Sequence, residues 1–315
     1  MKMPSTPKAL KYMYKKIRTY IPNIAVLNGL LMAPRFVACH KRLPRLNHPR
    51  TSFYDYVFYR MIRNNWTVLE QTCADKEYAK IVAAGLCPEV RVPVTHGVMA
   101  ITPATTASEI RAFCQPFIGK PYVMKPTHNA GGVVFLKPGA PSSQDMEKVL
   151  RIAKANFFHM YRETQYAHLQ PKLIIEEELS VNGQVPDDIK LFCARGKVLY
   201  AMVVKGRFNV RQREIYTLPA FTCVHAEAGG HPLGPLSQEP KQLKAILHMA
   251  EKLSQPFESV RIDLCETPHG IYFGEFTFTP FAALDDVFPP HLAEELLHKT
   301  LASAPSAAPK TRSGR

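Results

Sequence analysis

Apolar positions recur along this chain in two rhythms, and the switch between them lays out the elements. A three-to-four spacing runs through residues 8–20, where Leu10, Met13, Tyr14 and Ile17 share one side of a helix and lysines occupy the other. Pro22, Pro34, Pro44 and Pro49 then interrupt the pattern, so no long continuous helix is expected before residues 54–63. Residues 75–84 read as a helix opened by an aspartate cap and followed by Gly85. Residues 90–94 suit a short strand, and Ser108 caps a helix through Cys114. Strands at 121–124 and 133–136 form a hairpin around the small-residue turn 128–132. A long helical stretch, 145–168, separates this hairpin from a strand at 172–175. Strands at 189–194 and 198–204 flank Arg195-Gly196, and Arg207, Arg211 and Arg213 follow in a loop. A helix at 241–253, strands at 260–264 and 271–278, and a closing helix at 291–299 complete the order. The Ala/Ser/Pro-rich end, 302–315, reads as disordered. Antiparallel hairpins outnumber βαβ units, which makes the fold class α+β.

Composition narrows the function classes. With 315 residues, 46% apolar and 21% charged, the chain can bury one large core or two that pack together. No apolar run is long enough for a membrane-spanning helix, and the basic first twenty residues do not read as a secretory signal. Forty Lys and Arg against 26 Asp and Glu leave +14, which favours an anionic partner. Seven scattered Cys without a CxxC pair point to a reducing cytoplasm and to neither disulfides nor structural zinc. Walker, GxGxxG and HExxH motifs are absent, and nucleic acid rests on charge alone and is disfavoured.

Four separated segments place charged residues where strand patterning does not require them. Tyr122-Val123-Met124-Lys125-Pro126 ends an apolar strand on a lysine and leads through His128 to Gly131-Gly132, a combination that suits polyphosphate. Leu173-Ile174-Ile175 runs into Glu176, Glu177, Glu178 and Leu179, which offer hinge groups to a base and a carboxylate to a ribose. Alternation puts Asp188 and Lys190 on one strand face. It puts Arg261 and Asp263 opposite Val260, Ile262 and Leu264, and a tight turn brings Glu275 and Thr277 back beside them. Two facing carboxylates need a cation between them, and an all-oxygen set suits Mg²⁺. Each segment alone also reads as an ordinary solvated strand end.

Their order resembles the ATP-grasp superfamily. The phrases ADKEYAK, YVMKPTHNAGGVVFL, DIKLFCARGKV, VRIDL and GEFTFTP, over about residues 70–290, look most like the TupA-like ATP-grasp proteins of teichuronopeptide and capsular polysaccharide biosynthesis. The resemblance implies two α+β subdomains, 71–175 and 176–301, clasping ATP, with a basic helical extension at 1–70 and a disordered tail at 302–315. It implies that Lys76 and Lys125 contact phosphates, with Gly131 and Gly132 in the loop over them and His128 in the same set. Glu176, Glu177, Glu178 and Leu179 would form the adenine hinge, with Asp188 nearby. Lys190 and Arg261 would serve the transferred phosphoryl, and Asp263, Glu275 and Thr277 would hold Mg²⁺, or Mn²⁺ in its place. Phe281, after Pro280, stands where relatives are expected to carry Gly.

The function expected on this resemblance is an ATP-dependent carboxylate–amine ligase with an acyl-phosphate intermediate, acting on an acidic small molecule or polysaccharide in surface-polymer biosynthesis. A sugar kinase and a non-catalytic binding protein for an acidic glycan or a glycosyltransferase are the alternatives. The expected location is cytoplasmic, peripheral at the inner face of the membrane through the basic N-terminal arm.

Overall fold

A computed structural model of the chain describes residues 18–46, 52–138, 141–180, 183–206, 211–228, 231–232 and 239–302. The expected helix at 8–20 lies almost wholly outside the described residues, as do Arg207 and the tail 303–315.

Two antiparallel sheets organise the rest. The smaller contains β1 (Thr95–Ala100), β2 (Tyr122–Pro126), β3 (Val134–Phe135) and β4 (Lys172–Glu177), in the order β1-β4-β2-β3. Because β4 is flanked on both sides, its run Leu173, Ile174, Ile175 and Glu176 is buried throughout, as an internal strand should be. Leu173 and Ile175 face helices Ala107–Cys114 and Ser143–Ala153 through Ile110, Met146 and Val149. The larger sheet contains β5 (Asp188–Ala194), β6 (Lys197–Lys205), β7 (Gln212–Thr217), β8 (Thr222–Ala228), β9 (His231–Pro232), β10 (Val260–Thr267) and β11 (Gly270–Thr277). Its order is β11-β10-β5-β6-β7-β8-β9.

Alternation along the large sheet feeds two cores. One face (Leu191, Ala201, Ile262, Leu264) packs on helix Leu243–Ser254 and on Trp66, Cys73, Ala79 and Ala83 of the segment preceding β1. The other face (Phe192, Tyr200, Met202, Ile215) packs on helices Phe53–Ile62 and Pro290–Ala302 through Phe58 and Leu297, and on Phe288 just before the second of them. The α+β class expected from the hairpins is observed.

Several expectations are corrected. A helix does form at Ala25–His40 with Pro34 inside it, because Pro34 lies on the solvent side while Asn28, Gly29, Met32 and Phe36 are buried. Residues 90–94 contribute only an isolated bridge from Arg91 to Tyr272, and the strand starts at Thr95. The helix ending at Cys114 is capped by Thr106, not Ser108, in a reciprocal box with Glu109. The stretch 145–168 breaks after Ala153 and again at Arg162, whose φ of 54° is left-handed. Arg213 lies on β7, not in a loop.

Candidate functional site: a two-compartment cleft

Register brings the first cluster together. In the small sheet Val123 pairs with Glu176 and Lys125 with Ile174, so all four side chains share the face away from the helices. Lys125 Nζ is in close contact with one oxygen of Glu176, and Lys80 Nζ lies 2.5 Å from the other. Burial alone would raise the Glu176 carboxyl, but the two ammonium groups outweigh it and hold it below the ordinary value. Burial also lowers Lys80 despite that partner. Lys80 was not singled out from the sequence. Its signal is the i,i+4 spacing from Lys76, which puts both lysines on one face of helix Lys76–Leu86. That helix is held to the end of β2: the Asp75 carboxylate caps it and accepts from the Thr127 hydroxyl at 3.1 Å, and Lys76 N–H donates to the Thr127 carbonyl.

A β-bulge assembles the second cluster. Asp263 pairs with Glu275 and Leu264 with Phe273, leaving Gly274 as an extra residue on β11. The extra residue lets Phe273 and Phe276 bury in one core, ring centroids 4.7 Å apart, while Glu275 turns to the opposite face beside Asp263. Arg261 fills the space between the carboxylates. It donates to Asp263 at 2.6 and 2.9 Å, to Glu275 at 3.0 Å and to the Thr277 hydroxyl at 3.0 Å. Burial would lower the guanidinium pKa, but Asp263 and Glu275 drive it upward. Lys190, paired across the ladder with Asp263, touches its other side, and Asp188 lies 3.5 Å from that ammonium. A Cβ at Gly274 would lie 3.1 Å from the Asp263 carbonyl. Gly274→Ala is therefore expected to push the two strands a few tenths of an ångström apart beside Asp263 and to lower the melting temperature, checked by calorimetry.

The clusters face one cleft in two compartments. The first, about 140 Å³, is lined mainly by apolar groups, among them Val123, Val133, Phe135, Leu179, Val185 and Phe273. Glu176, Glu177 and Glu178 also line it. Glu178 pairs with Lys137 through one carboxylate oxygen, while the other has no hydrogen-bond partner among the described residues. The second, about 130 Å³, is lined by Lys76, Asn129, Gly131, Asp263 and Glu275. Lys125, Val133, Asp188 and Gly274 line both.

Two singled-out residues stand apart. His128 is buried, with its ring 2.9 Å from the Ala153 carbonyl, and burial lowers its pKa to about 4. It braces the turn and does not line the cleft. Gly132, at φ 69°, packs against Pro126 and Ile152, so only Gly131 of the pair reaches the second compartment.

Behind the second cluster lies a carboxyl that the sequence did not mark. Glu163 is fully enclosed and accepts from the Thr279 hydroxyl, which also accepts from Gln165 at 2.5 Å. Burial first, and the nearby Glu275 charge, raise its pKa to about 7. The folded state then holds a proton that the unfolded state has released, so stability falls as pH rises through about 4.5 to 7. Glu163→Gln is expected to flatten that dependence and to stabilise the protein by about 3 kcal/mol at pH 8. Chemical denaturation at pH 5 and pH 8 checks it; an unchanged slope would refute the assignment.

Asp263, Glu275 and Thr277 supply oxygen alone, the hard-ligand chemistry that Mg²⁺ takes together with phosphate oxygens and water. Among the described residues no group of three or more His, Cys, Asp or Glu could hold a metal ion.

Two α+β units closing on such a cleft define the ATP-grasp fold. The match is specific: residues 94–300 fit the TupA-like ATPgrasp family, and the chain belongs to it. Among solved structures the chain is similar to the ATP-grasp ligase PsnB complexed with minimal precursor, at 10% identity and TM-score 0.39, over 74% of this chain and 62% of that one. VanG D-Ala:D-Ser ligase from Enterococcus faecalis shows 13% identity and TM-score 0.43, over 73% and 61%. D-Alanine–D-alanine ligase from Bacillus anthracis shows 14% and 0.38, over 73% and 65%. The chain thus spans less than two thirds of the length of each of these structures. No curated protein matches it.

Proposed function

We propose that this chain is an ATP- and Mg²⁺-dependent ligase that joins a carboxylate to an amine through an acyl phosphate, in the assembly of a capsular, surface-polysaccharide or teichuronopeptide-like polymer. One observation carries the reading: a base-sized apolar hollow runs directly into a lysine-lined one, with Lys125 and Asp188 at the junction. Adenine suits the first, between Val133, Phe135 and Leu179. The unpartnered oxygen of Glu178 suits a ribose hydroxyl, which donates.

Lys76 and Lys125 then neutralise the phosphates, and backbone groups around Gly131 approach them without a side chain in the way. Asp263, Glu275 and Thr277 would hold Mg²⁺, which supplies charge neutralisation at the phosphate oxygens. Arg261 holds both carboxylates in place and Lys190 holds Asp263, and the two cations bring positive charge to the compartment where the γ-phosphoryl moves. The acceptor carboxylate oxygen attacks the γ-phosphorus as ADP leaves. The amine then attacks the acyl carbon, loses a proton, and inorganic phosphate departs. An acidic acceptor such as a uronic-acid or glutamyl polymer agrees with the net charge of +14.

The test is product analysis after incubation with Mg-ATP, an amine and a panel of uronic-acid and glutamyl carboxylates. ADP, phosphate and an amide support the ligase. ADP with a phosphosugar and no amide would make this a kinase. Neither ADP nor a Mg-ATP-dependent thermal shift would leave a binding protein.

A further inference from the structure

Helix Ala25–His40 turns one side into the core and presents an apolar side to solvent. Along that outer side Val26, Leu30, Pro34 and Ala38 follow at intervals of four, and all are exposed. Val26 and Leu30 are 69% and 67% exposed, and Tyr20 and Ile24 just before the helix are 78% and 53% exposed. A soluble surface rarely leaves so continuous an apolar stripe uncovered. Nothing in the stripe reaches the nucleotide cleft, so it has no part in the chemistry proposed above.

Charge identifies what covers it. The first 54 residues contain eleven Lys and Arg and neither Asp nor Glu before Asp55. Arg35, Lys41 and Arg45 are exposed around the stripe itself. Arg162, fully buried, ties the stripe to the body by donating to the Ile21 and Arg18 carbonyls. A protein partner's apolar groove would not call for so one-sided a basic rim, whereas an anionic bilayer presents hydrocarbon just beneath a negative headgroup layer. No helix among the described residues is long and apolar enough to cross a membrane, so the element lies on the surface.

We propose that the outer face of Ala25–His40, with Tyr20 and Ile24, seats this protein on an anionic lipid surface. The apolar stripe enters the headgroup boundary and the surrounding lysines and arginines hold the phosphates. The arrangement places the enzyme where a membrane-linked polymer would be modified.

Flotation of the full chain with vesicles tests this, using phosphatidylcholine alone and phosphatidylcholine with 30% phosphatidylglycerol. Binding is expected to the anionic vesicles only, weakened by 500 mM salt, and reduced at least tenfold in V26E/L30E with an unchanged melting temperature. The Mg-ATP thermal shift of that variant serves as the folding control and is expected to equal wild type. Absence of binding by the wild type, or equal binding by V26E/L30E, would overturn the proposal. So would a sharp drop in the variant's melting temperature, which would show that the chain's own first residues cover the stripe. A concentration-dependent dimer that the substitutions abolish in the absence of lipid would give the face to a second copy instead.

Discussion

Lys125→Ala is expected to abolish the stabilisation that Mg-ATP would give the wild type on the proposed function. Lys125 is the cation that borders both compartments among their described lining residues, and it also pairs with buried Glu176. At a ligand concentration about 100-fold above Kd the wild type gains roughly 2.7 kcal/mol, a shift easily read by calorimetry. On the proposed function the phosphates would lose one of their cations in the variant, and turnover is expected to fall roughly 100- to 1000-fold if Lys125 acts as one electrostatic donor. Glu176 keeps Lys80, so the loss of intrinsic stability is modest, about 1–3 kcal/mol. A variant that still shows the full Mg-ATP shift would remove the phosphate assignment and with it the direction of the nucleotide in the cleft.

Arg261→Ala has the larger effect on the protein itself. Its guanidinium is buried and makes four hydrogen bonds, two of them to Asp263. Removing it leaves Asp263 with Lys190 and brings the Asp263 and Glu275 charges face to face without their bridge. Breaking one partner of a buried pair costs about 3–5 kcal/mol, and that is the expected loss of unfolding free energy. Added Mg²⁺ can take the vacated place between the carboxylates. Arg261→Ala is therefore expected to regain part of its melting temperature in millimolar Mg²⁺, while the wild type is indifferent without nucleotide. Absence of any Mg²⁺ rescue in a folded Arg261→Ala protein would count against Asp263 and Glu275 as metal ligands.

Much of this site is readable in the sequence. Strand alternation is strictly local, so Arg261 and Asp263 could be put on one face and the return of Glu275 and Thr277 inferred from a short turn. The lysine at the end of β2 and the acidic end of β4 stood out because apolar strands have no need of them. Less legible were the helix at Ala25–His40 and the break after Ala153. A proline forbids one hydrogen bond, and whether that matters depends on which side of the helix meets solvent. The strands β7 and β8 also escaped notice, since Gln212–Thr217 and Thr222–Ala228 carry polar residues on much of their length.

Phe281 shows the same division at one residue. The sequence places a phenylalanine after Pro280, and nothing local says what it does. In the fold, Phe281, Ala282 and Ala283 all take left-handed backbone angles, at φ of 60°, 50° and 55°, a conformation costing L-residues about 1–2 kcal/mol each. The turn carries the Phe281 ring to 5.6 Å from the Arg261 guanidinium. Packing of the whole second core, through Ala282, Ala283 and Phe288, imposes it.

By itself the sequence determined the α+β class, the family resemblance, the strands that carry the charged site residues and the identity of those residues, because periodicity and motif order are properties of short stretches. Only the tertiary structure decided that Lys80 completes the Glu176 pair, that His128 turns inward, that Gly274 bulges to aim Glu275, and that an apolar helix face stays uncovered. Each of those depends on which distant segment packs alongside, and no local pattern encodes the neighbour.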